Sequence, residues 1–236
     1  MKRWTSFFQN YRDVPITDDK DLLYQVALTV DGKPISQEIF NHIIAGIEHN
    51  LKLNNSDYLL DLCCGNGVIT YKISRKVNRI TGIDSSKLYI ENARAYKKTK
   101  SIEYIEMDII NIDTVSKIDT KKFNKVLFYG SIAYFNKKEV KIILDKLYYL
   151  TSNDVIILIG SILDYSKRFR FYNTISRKWH YLLNILFNRD LGLGNWWIKS
   201  ELLEISEGKG FNCTFLEQNS LLNTAHYRFD CILTKK

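Results

Sequence analysis

An acidic residue followed by a glycine-rich turn is the feature of this sequence with the clearest chemistry. Residues 58–70 form an apolar run that reaches Asp61 and then turns, through Gly65 and Gly67, into a helical stretch. A second apolar run ends at Asp84, about the spacing at which a carboxylate meets the ribose hydroxyls of a bound adenosine. The two acids and the turn between them predict a pocket for a nucleotide-type cofactor.

The turn differs from one that binds a nicotinamide dinucleotide. A dinucleotide turn usually has the pattern Gly-x-Gly-x-x-Gly, and its third glycine lets the helix pack closely on the strand. In this sequence Thr70 stands at the third position. Asp61 would also repel the pyrophosphate of a dinucleotide, whereas it would attract a cationic ligand. We therefore expect a cofactor that carries positive charge.

Short apolar runs and helical stretches alternate through the middle of the chain. The runs are rich in Ile, Leu, Val and Tyr, as strands covered on both faces should be. Strands are predicted at Tyr58 to Leu62, Arg79 to Ile83, Ile102 to Tyr104, Lys125 to Tyr129 and Val155 to Ile159. Helices are predicted at Val68 to Val77, Lys87 to Lys98 and Lys137 to Leu150. This alternation predicts an α/β fold with a mainly parallel sheet.

Both ends of the chain depart from this alternation. Ahead of the first strand, Ile35 to Leu51 has isoleucines at helical spacing, which predicts an N-terminal helical cap. After a predicted helix at Lys199 to Lys209, the strands Phe211 to Glu217 and His226 to Leu233 lack a crossover and must be antiparallel. We expect a single domain made of the cap (1–53), a cofactor-binding core (54–163), an insertion (164–197) and a final helix with two strands (198–236).

With these elements in place, the segment around Asp61 resembles motif I of the class I S-adenosylmethionine-dependent methyltransferases. The antiparallel final strand is also that family's usual ending. The resemblance covers about Leu51 to Gly160 and the last two strands. It implies a Rossmann-like, seven-stranded, mainly parallel sheet with an antiparallel last strand and helices on both faces. It also implies S-adenosyl-L-methionine as the cofactor and S-adenosyl-L-homocysteine as its product.

The resemblance assigns cofactor contacts to the ends of successive strands. Asp61 would face the methionyl ammonium group, and Asp84, followed by Ser85, would accept hydrogen bonds from the ribose hydroxyls. Asp108 would accept the adenine amino group, with Ile109 beside it against the ring. One departure from the family occurs in the turn, where a cysteine stands in place of the first glycine. The turn backbone that would wrap the cofactor consists of Cys63, Gly65, Asn66 and Gly67.

Two tyrosines complete the cofactor site that the resemblance implies. Tyr129, at the end of the fourth strand, would lie at the border of cofactor and acceptor. Tyr11 could close over the donor from the cap, although an ordinary packed aromatic fits that position equally well.

The acceptor side depends on alignment more than on covalent chemistry. Methyl transfer to oxygen or nitrogen requires two reactants held in line, and a general base can remove a proton from the acceptor. His226, at the start of the last strand, and His180, in the insertion, are the candidates for that base, although a lone histidine is more often structural. The candidates for acceptor contacts are Tyr134, Arg168, Trp179 and Trp196.

The insertion at 164–197 is long and unusually aromatic. If it is helical, its apolar side chains line one face, while Arg168, Arg177 and Lys178 lie toward the edges and back. We expect that face to be buried, either over the sheet as a substrate lid, against a second copy of the chain, or on a membrane surface, which suits basic amphipathic helices with Trp. The face consists of Tyr172, Ile175, Trp179, Leu182, Leu183 and Leu186.

Composition limits the class of protein. The 236 residues, 45% hydrophobic and 25% charged, are enough for a full core. The N-terminus has no secretory signal and no run approaches the length of a membrane span, so we expect a cytoplasmic protein. Four cysteines without metal-ligand spacing predict free thiols and no metal site. The net charge of +8 fits a solvated basic surface better than a nucleic-acid groove.

The sequence therefore predicts a methyltransferase that acts on an oxygen or nitrogen of a small molecule, such as a saccharide or a secondary metabolite. An RNA methyltransferase is the second candidate because of the charge, but residues 128–131 do not form an Asn-Pro-Pro-Tyr-type tetrad. The third candidate is a cofactor-binding scaffold without turnover. The presence of Asp61, Asp84 and Asp108 argues against that third candidate.

Overall fold

One seven-stranded sheet organises the residues that this computed structural model describes, which are 11–114, 123–187 and 193–236. Parts of the predicted cap (1–10) and insertion (188–192) lie outside the described residues. The strands are β1 (Thr29–Val30), β2 (Lys33–Pro34), β3 (Tyr58–Leu62), β4 (Arg79–Asp84), β5 (Ile102–Glu106), β6 (Phe123–Tyr129), β7 (Thr151–Leu163), β8 (Phe211–Glu217) and β9 (Arg228–Lys235).

The order of strands across the sheet is β5-β4-β3-β6-β7-β9-β8. Strands β3 to β7 run parallel to one another, and β9 runs antiparallel to both of its neighbours, β7 and β8. The short strands β1 and β2 form a separate hairpin in the cap. The predicted fold class, a mainly parallel Rossmann-like sheet with an antiparallel last strand, is confirmed.

Helices cover both faces of this sheet. Adjacent residues of β3 show the division, because Leu59 packs with the helices of one face and Leu60 with those of the other. Both side chains are fully buried. The helices are α1 (Asp19–Gln25), α2 (Gln37–Leu51), α3 (Val68–Ile73), α4 (Lys87–Tyr96), α5 (Lys137–Leu150), α6 (Arg168–Phe171), α7 (Ile175–Leu186) and α8 (Lys199–Glu207).

The helix starts follow from local sequence. Asn136 caps α5 by accepting the N–H of Glu139 at 3.0 Å, and the Glu139 carboxylate accepts the N–H of Asn136 at 2.8 Å. Leu144 and Leu147 of α5 then face the sheet at helical spacing. Ser36 caps the start of α2 in a similar way, because its side chain accepts the N–H of Ile39 at 3.2 Å.

Several element bounds differ from the predictions by a few residues, and the largest differences are in α3 and β7. Helix α3 ends at Ile73 and continues as one 3₁₀ turn to Lys76, so it is shorter than predicted. Strand β7 is longer than predicted and contains an irregularity between Ile159 and Ile162, where Ser161 has a φ of +61°. A bulge of this kind turns the backbone locally, and here it lies close to the carboxyl end of β7.

The cap is fastened to the glycine turn by buried amides. The Asn66 side chain is fully buried, and its Nδ2 donates to the Leu22 carbonyl and to Gln25 Oε1, each at 2.9 Å. Gln25 Oε1 also accepts from Asn92 Nδ2 of α4 at 3.1 Å. Helix α1, the turn and α4 therefore hold one another in place.

Among the described helices, none has the length and apolar character needed to cross a membrane.

Gly67 should be intolerant of substitution by alanine. Its φ is +75°, and a Cβ there would lie 2.8 Å from Cζ of Tyr104, whose hydroxyl is held by the Lys97 carbonyl at 3.1 Å. Because left-handed strain adds to the clash, we expect Gly67→Ala to lower the free energy of unfolding by about 2–3 kcal/mol. The melting temperature should then fall by ~4–10 °C.

Gly46→Ala is the matched control for this substitution. Gly46 lies within α2, where an added Cβ meets nothing within 4 Å. That substitution should stabilise the protein by up to about 1 kcal/mol, because alanine is the better helix former. Equal melting temperatures for Gly67→Ala and wild type would contradict our description of the turn.

Candidate functional site

A cavity of about 440 Å³ opens at the carboxyl ends of the parallel strands. This edge of an open parallel sheet is where such folds generally bind ligands. The cavity has the size of a small-molecule site. Most of the predicted cofactor residues line it, namely Tyr11, Cys63, Gly65, Asp84, Ser85, Asp108, Ile109 and Tyr129.

The turn after β3 brings backbone to the cavity wall. Cys63, Gly65 and Gly67 all have positive φ, at +56°, +57° and +75°. A Cβ on Gly65 would lie 2.9 Å from Cγ1 of Val26, so the turn and the cap approach too closely for a side chain. Cys63 adopts the left-handed conformation without being glycine, which costs roughly 1–2 kcal/mol. Cys63 thus adopts a backbone conformation that favours glycine, at the position where the sequence resemblance expects a glycine.

Asp84 is the best-defined acid of the site. Its Oδ2 accepts the N–H of Gly65 at 2.9 Å, and its Oδ1 accepts the N–H of Ser86 at 2.8 Å. Burial raises the pKa of Asp84 to about 6, although these backbone N–H groups oppose the rise. Each carboxylate oxygen can accept a further hydrogen bond. Asp84 can therefore receive a pair of hydroxyl groups from a ligand in the cavity.

Asp108 lies at the neighbouring strand edge, after β5. Its Oδ1 accepts the N–H of Ile110 at 3.0 Å, which fixes the carboxylate in a local turn. Ile109 and Met107 line the cavity on either side of it. Asp84 and Asp108 thus face one cavity from adjacent strands, as the sequence predicted.

Three predicted cofactor residues do not line the cavity. Asp61 is buried beneath the turn, and its Oδ2 accepts the hydroxyl of Thr70 at 2.6 Å. Burial raises the pKa of Asp61 to about 7, and repulsion by Asp84 adds to the rise that Thr70 opposes. Asn66 directs its side chain to the cap, and Gly67 packs against Tyr104. Cofactor contacts for these three residues stay predictions.

The candidate catalytic histidines lie away from the cavity. His226 is exposed with its ring 4.8 Å from that of Tyr227, and His180 is exposed on α7. Neither lines the cavity. In the parts of the chain that the structure describes, no histidine does so.

Of the four predicted acceptor contacts, only Tyr134 lines the cavity. Arg168 stacks on the rings of Tyr165 and Phe169 at 4.0 and 4.5 Å. Trp179 is 61% exposed. Trp196 does not line the cavity. Its ring centroid lies 6.2 Å from that of Phe171, which does line the cavity.

The insertion leaves the sheet and returns to it at one point. The N–H of Tyr165 donates to the Trp197 carbonyl at 3.0 Å, and the N–H of Trp197 donates to the Leu163 carbonyl at 2.8 Å. Among its described residues, Phe171 and Leu193 reach the cavity. The lid prediction therefore applies to these two side chains and not to α7.

The apolar face of α7 is exposed in the single chain, so it does not pack over the sheet as a substrate lid. The exposed fractions are 77% for Ile175, 61% for Trp179, 49% for Leu182, 46% for Leu183 and 74% for Leu186. Tyr181 is buried and, at 100° per residue, lies on the roughly opposite side of the helix. Periodicity correctly grouped these side chains on one face, but that face points away from the sheet.

Two arginines of the cavity were not predicted from the sequence. Arg12 lies beside Tyr11, where its Nη1 donates to the Tyr24 carbonyl at 2.6 Å. Arg228 begins β9, and its Nη1 donates to the carbonyl and the hydroxyl of Ser161 at 2.9 and 3.0 Å. The antiparallel pairing of β9 with β7 was a usable signal for Arg228, because it places the start of β9 at the ligand-binding edge.

Comparison with known proteins agrees with this geometry. Residues 59–154 match a family model described as a methyltransferase domain. The chain is 26% identical over 100 residues to a 23S rRNA (uracil(1939)-C(5))-methyltransferase of Legionella pneumophila, covering 41% of this chain and 22% of that protein. It is 35% identical over 96 residues to an uncharacterised RNA methyltransferase of Leptospira interrogans, covering 40% and 20%. The chain thus spans about a fifth of the length of these relatives.

A solved structure matches over the whole chain. Magnesium protoporphyrin IX methyltransferase from Synechocystis PCC 6803, determined with bound S-adenosylhomocysteine, has a TM-score of 0.64 at 11% identity, covering 100% of this chain and 99% of that one. The fold is therefore that of the class I S-adenosylmethionine-dependent methyltransferases. Within it, residues 59–154 also resemble the methyltransferase domain family in sequence.

Asp61→Asn should stabilise the protein at alkaline pH. A pKa raised to about 7 means that the folded chain holds a proton that the unfolded chain loses near 3.8. The associated stability is present below the unfolded pKa and is lost as pH rises through about 7. Asparagine can accept the Thr70 hydroxyl without a buried charge. We expect the melting temperature at pH 8.5 to rise by ~2–4 °C, for a gain of about 1 kcal/mol.

Melting curves between pH 5 and 8.5 measure this effect. The difference between Asp61→Asn and wild type should shrink as pH falls, because wild-type Asp61 then becomes neutral too. Exposed Asp145→Asn serves as a control that should show no such trend. A pH-independent difference would show that Asp61 does not titrate in this range.

Proposed function

We propose that this protein is an S-adenosylmethionine-dependent methyltransferase that acts on an oxygen or nitrogen of a small molecule. The observation that carries the proposal is the meeting of Asp84, Asp108 and the turn residues Cys63 to Gly65 at one cavity. Saccharides and secondary metabolites are the acceptor classes that we favour. A location in the cytoplasm is part of the same proposal.

The residues of the cavity fit this cofactor. Asp84 offers a hydroxyl-binding carboxylate with both oxygens anchored. Asp108 offers a second acceptor, with Ile109 as an adjoining apolar surface. When bound, the cofactor supplies an electrophilic methyl group on a sulfonium. Asp84 would hold the ribose hydroxyls and Asp108 the adenine amino group, with Tyr129 toward the methionyl end.

The chain's own contribution is alignment and exclusion of water. The cap closes one side of the cavity with Tyr11 and Val26, and Tyr134 and Phe171 wall another. Holding two reactants in line in such an enclosure accounts for several kcal/mol in well-oriented systems. His180 and His226 would have to contact an acceptor outside this cavity, so the proposal relies on neither of them.

RNA methylation is the second candidate, because the curated relatives named above are RNA methyltransferases. Their matches cover 40–41% of this chain. The residues that enclose the acceptor side, such as Phe171, Leu193 and Tyr227, belong to later parts of the chain. A cavity of about 440 Å³ suits a small molecule better than a base that remains stacked within an RNA helix.

Calorimetric titration with S-adenosylhomocysteine tests the cofactor site. We expect clear binding by wild type and about 10–100-fold weaker binding by Asp84→Ala, because a charged hydrogen-bond acceptor is lost. Affinity should also decline as pH falls through about 6, where Asp84 takes up a proton. Asp145→Ala is the surface control. Equal affinities of wild type and Asp84→Ala would refute the assignment.

Transfer of a labelled methyl group separates the acceptor classes. Incubation with labelled S-adenosylmethionine and either total RNA or a small-molecule extract should label only the latter. Label in RNA, with retention on heparin that collapses at modest salt, would favour the second candidate. Binding of the cofactor with label in neither fraction would favour a scaffold without turnover.

A further inference from the structure

We propose that Arg228 binds an anionic group, a carboxylate or a phosphate, on the acceptor molecule. This inference rests on the proposed function, since it assigns the acceptor half of the same cavity. It extends the site beyond the residues that the family resemblance named.

The guanidinium of Arg228 has unused donor capacity inside the cavity wall. Nη1 donates to the carbonyl and hydroxyl of Ser161 at 2.9 and 3.0 Å. Nε is buried and has no hydrogen-bond partner in the described residues. The residue also lines the cavity, so an anion bound there would pair with the charge of the guanidinium.

Arg228 forms no ion pair with a neighbouring acid among the described residues. Among the described residues, no carboxylate oxygen lies within 4.0 Å of it. Asp230, two residues along β9, instead accepts the Ser161 N–H at 2.7 Å and Gln218 Nε2 at 2.9 Å. Burial raises the pKa of Asp230 and the charge of Arg228 partly offsets that rise, but Arg228 still lines the cavity without an ion pair.

The acids of the cofactor site are too distant to supply a counter-charge to Arg228. Asp84 ends β4, whereas Arg228 begins β9, and the strands β3, β6 and β7 lie between them. Four strand spacings correspond to about 19 Å. The cavity is thus acidic over β4 and β5 and basic over β7 and β9, so its two ends favour groups of different charge.

The surroundings of Arg228 also suit a bound organic anion. Tyr227, Phe171 and Leu193 line the cavity near it and limit access of water. Burial raises the pKa of Tyr134, and the nearby Arg228 and Arg12 partly offset that rise. The aromatic walls predict that an anion on a flat, apolar or sugar-like ring would fit.

Binding of three aromatic probes to the protein loaded with S-adenosylhomocysteine tests the inference. Benzoate and phenyl phosphate carry the two anionic groups, and benzamide is the neutral counterpart of benzoate. We expect wild type to bind at least one anion tenfold or more tightly than benzamide. The preference between benzoate and phenyl phosphate identifies a carboxylate or a phosphate.

Variants of Arg228 locate the anion. Arg228→Met should abolish the preference for anions, and Arg228→Lys should retain part of it, because lysine keeps the charge but loses the fork of donors. Arg170→Met, an exposed arginine outside the cavity, should behave as wild type. Affinity for S-adenosylhomocysteine should stay within twofold in all three variants.

Several outcomes would overturn the inference. One is equal binding of benzoate and benzamide by wild type, and another is an anion preference that Arg228→Met retains. A third is a loss of S-adenosylhomocysteine affinity in Arg228→Met as large as its loss of anion affinity, which would assign Arg228 to the cofactor's own carboxylate. If Arg228→Met is unstable, Arg228→Lys tests the inference instead. An anion affinity unchanged in Arg228→Lys would show that the guanidinium donors of Arg228 do not bind the anion. Failure of wild type to bind S-adenosylhomocysteine would refute the proposed function instead, and the probes can be titrated without it.

A different observation, the exposed face of α7, carries a second inference. We infer that α7 docks on a membrane surface rich in anionic lipid. Five large apolar side chains, from Ile175 to Leu186, are 46–77% exposed along one side of the helix. A helix that presents an apolar face with Trp and lies beside cations has the properties of an interfacial helix.

Charge favours an anionic bilayer over a second copy of this chain. Residues 165–189 contain six lysines and arginines and no aspartate or glutamate. Arg170, Arg177 and Lys178 are exposed and have no carboxylate within 4.0 Å among the described residues. Two copies that met through α7 would bring these cations together, whereas anionic headgroups would neutralise them.

Co-sedimentation with lipid vesicles tests this docking. Wild type should bind vesicles containing phosphatidylglycerol at least tenfold more tightly than pure phosphatidylcholine, with weaker binding at high salt. The double variant Trp179→Ser, Leu183→Ser should lose most of this binding. Ile142→Ser, which alters an exposed apolar residue on α5, is the control and should bind as wild type.

Two results would overturn the docking proposal. One is vesicle binding that the double variant retains. The other is a wild-type dimer in light scattering that the double variant converts to a monomer, with no vesicle binding by either protein, which would make a second copy the occupant.

Discussion

The site depends on one buried carboxylate that joins two strand ends. Asp84 accepts the N–H of Gly65 in the turn after β3 and the N–H of Ser86 at the start of α4. Both donors are backbone groups, so the bonds fix the course of the chain irrespective of the side chains around them. Burial raises the pKa of Asp84 to about 6, so the folded protein bears the cost of a desolvated charge there. A ligand with hydroxyl groups would reduce that cost.

The cap depends on the same turn. Gly65 and Gly67 have positive φ, and Val26 and Tyr104 occupy the space that a side chain would need, so both positions favour glycine for two reasons. Between them, Asn66 reaches from the turn to Leu22 and Gln25 of α1. The turn therefore places Tyr11 and Arg12 over the cavity as well as presenting its own backbone. A change at either glycine would disturb both walls at once.

The predictions were most accurate for features that the local sequence pattern determines. The bounds of β3 and α5 are as expected, because a short apolar run or a capped amphipathic stretch contains enough information. Asp84 was singled out because it directly follows an apolar run and Asp108 because of the family resemblance, and both line the cavity. Arg228 was missed because its position depends on the pairing of β7 with β9, which joins residues about 70 apart, such as Ile159 and Cys231. Of the alternatives for α7, packing over the sheet was wrong, since periodicity shows which residues share a face and not what covers it.

The antiparallel direction of β9 explains why the two ends of the cavity come from different parts of the chain. A last strand parallel to the others would bring its end, near Lys235, to the ligand-binding edge, whereas an antiparallel one brings its start, at Arg228. The acids Asp84 and Asp108 lie within residues 59–154, which match the family model, and Arg228 lies beyond them. The cofactor half can therefore be shared with distant proteins while the acceptor half differs. This division agrees with the family model, which matches the part of the chain that contains Asp84 and Asp108 but not Arg228.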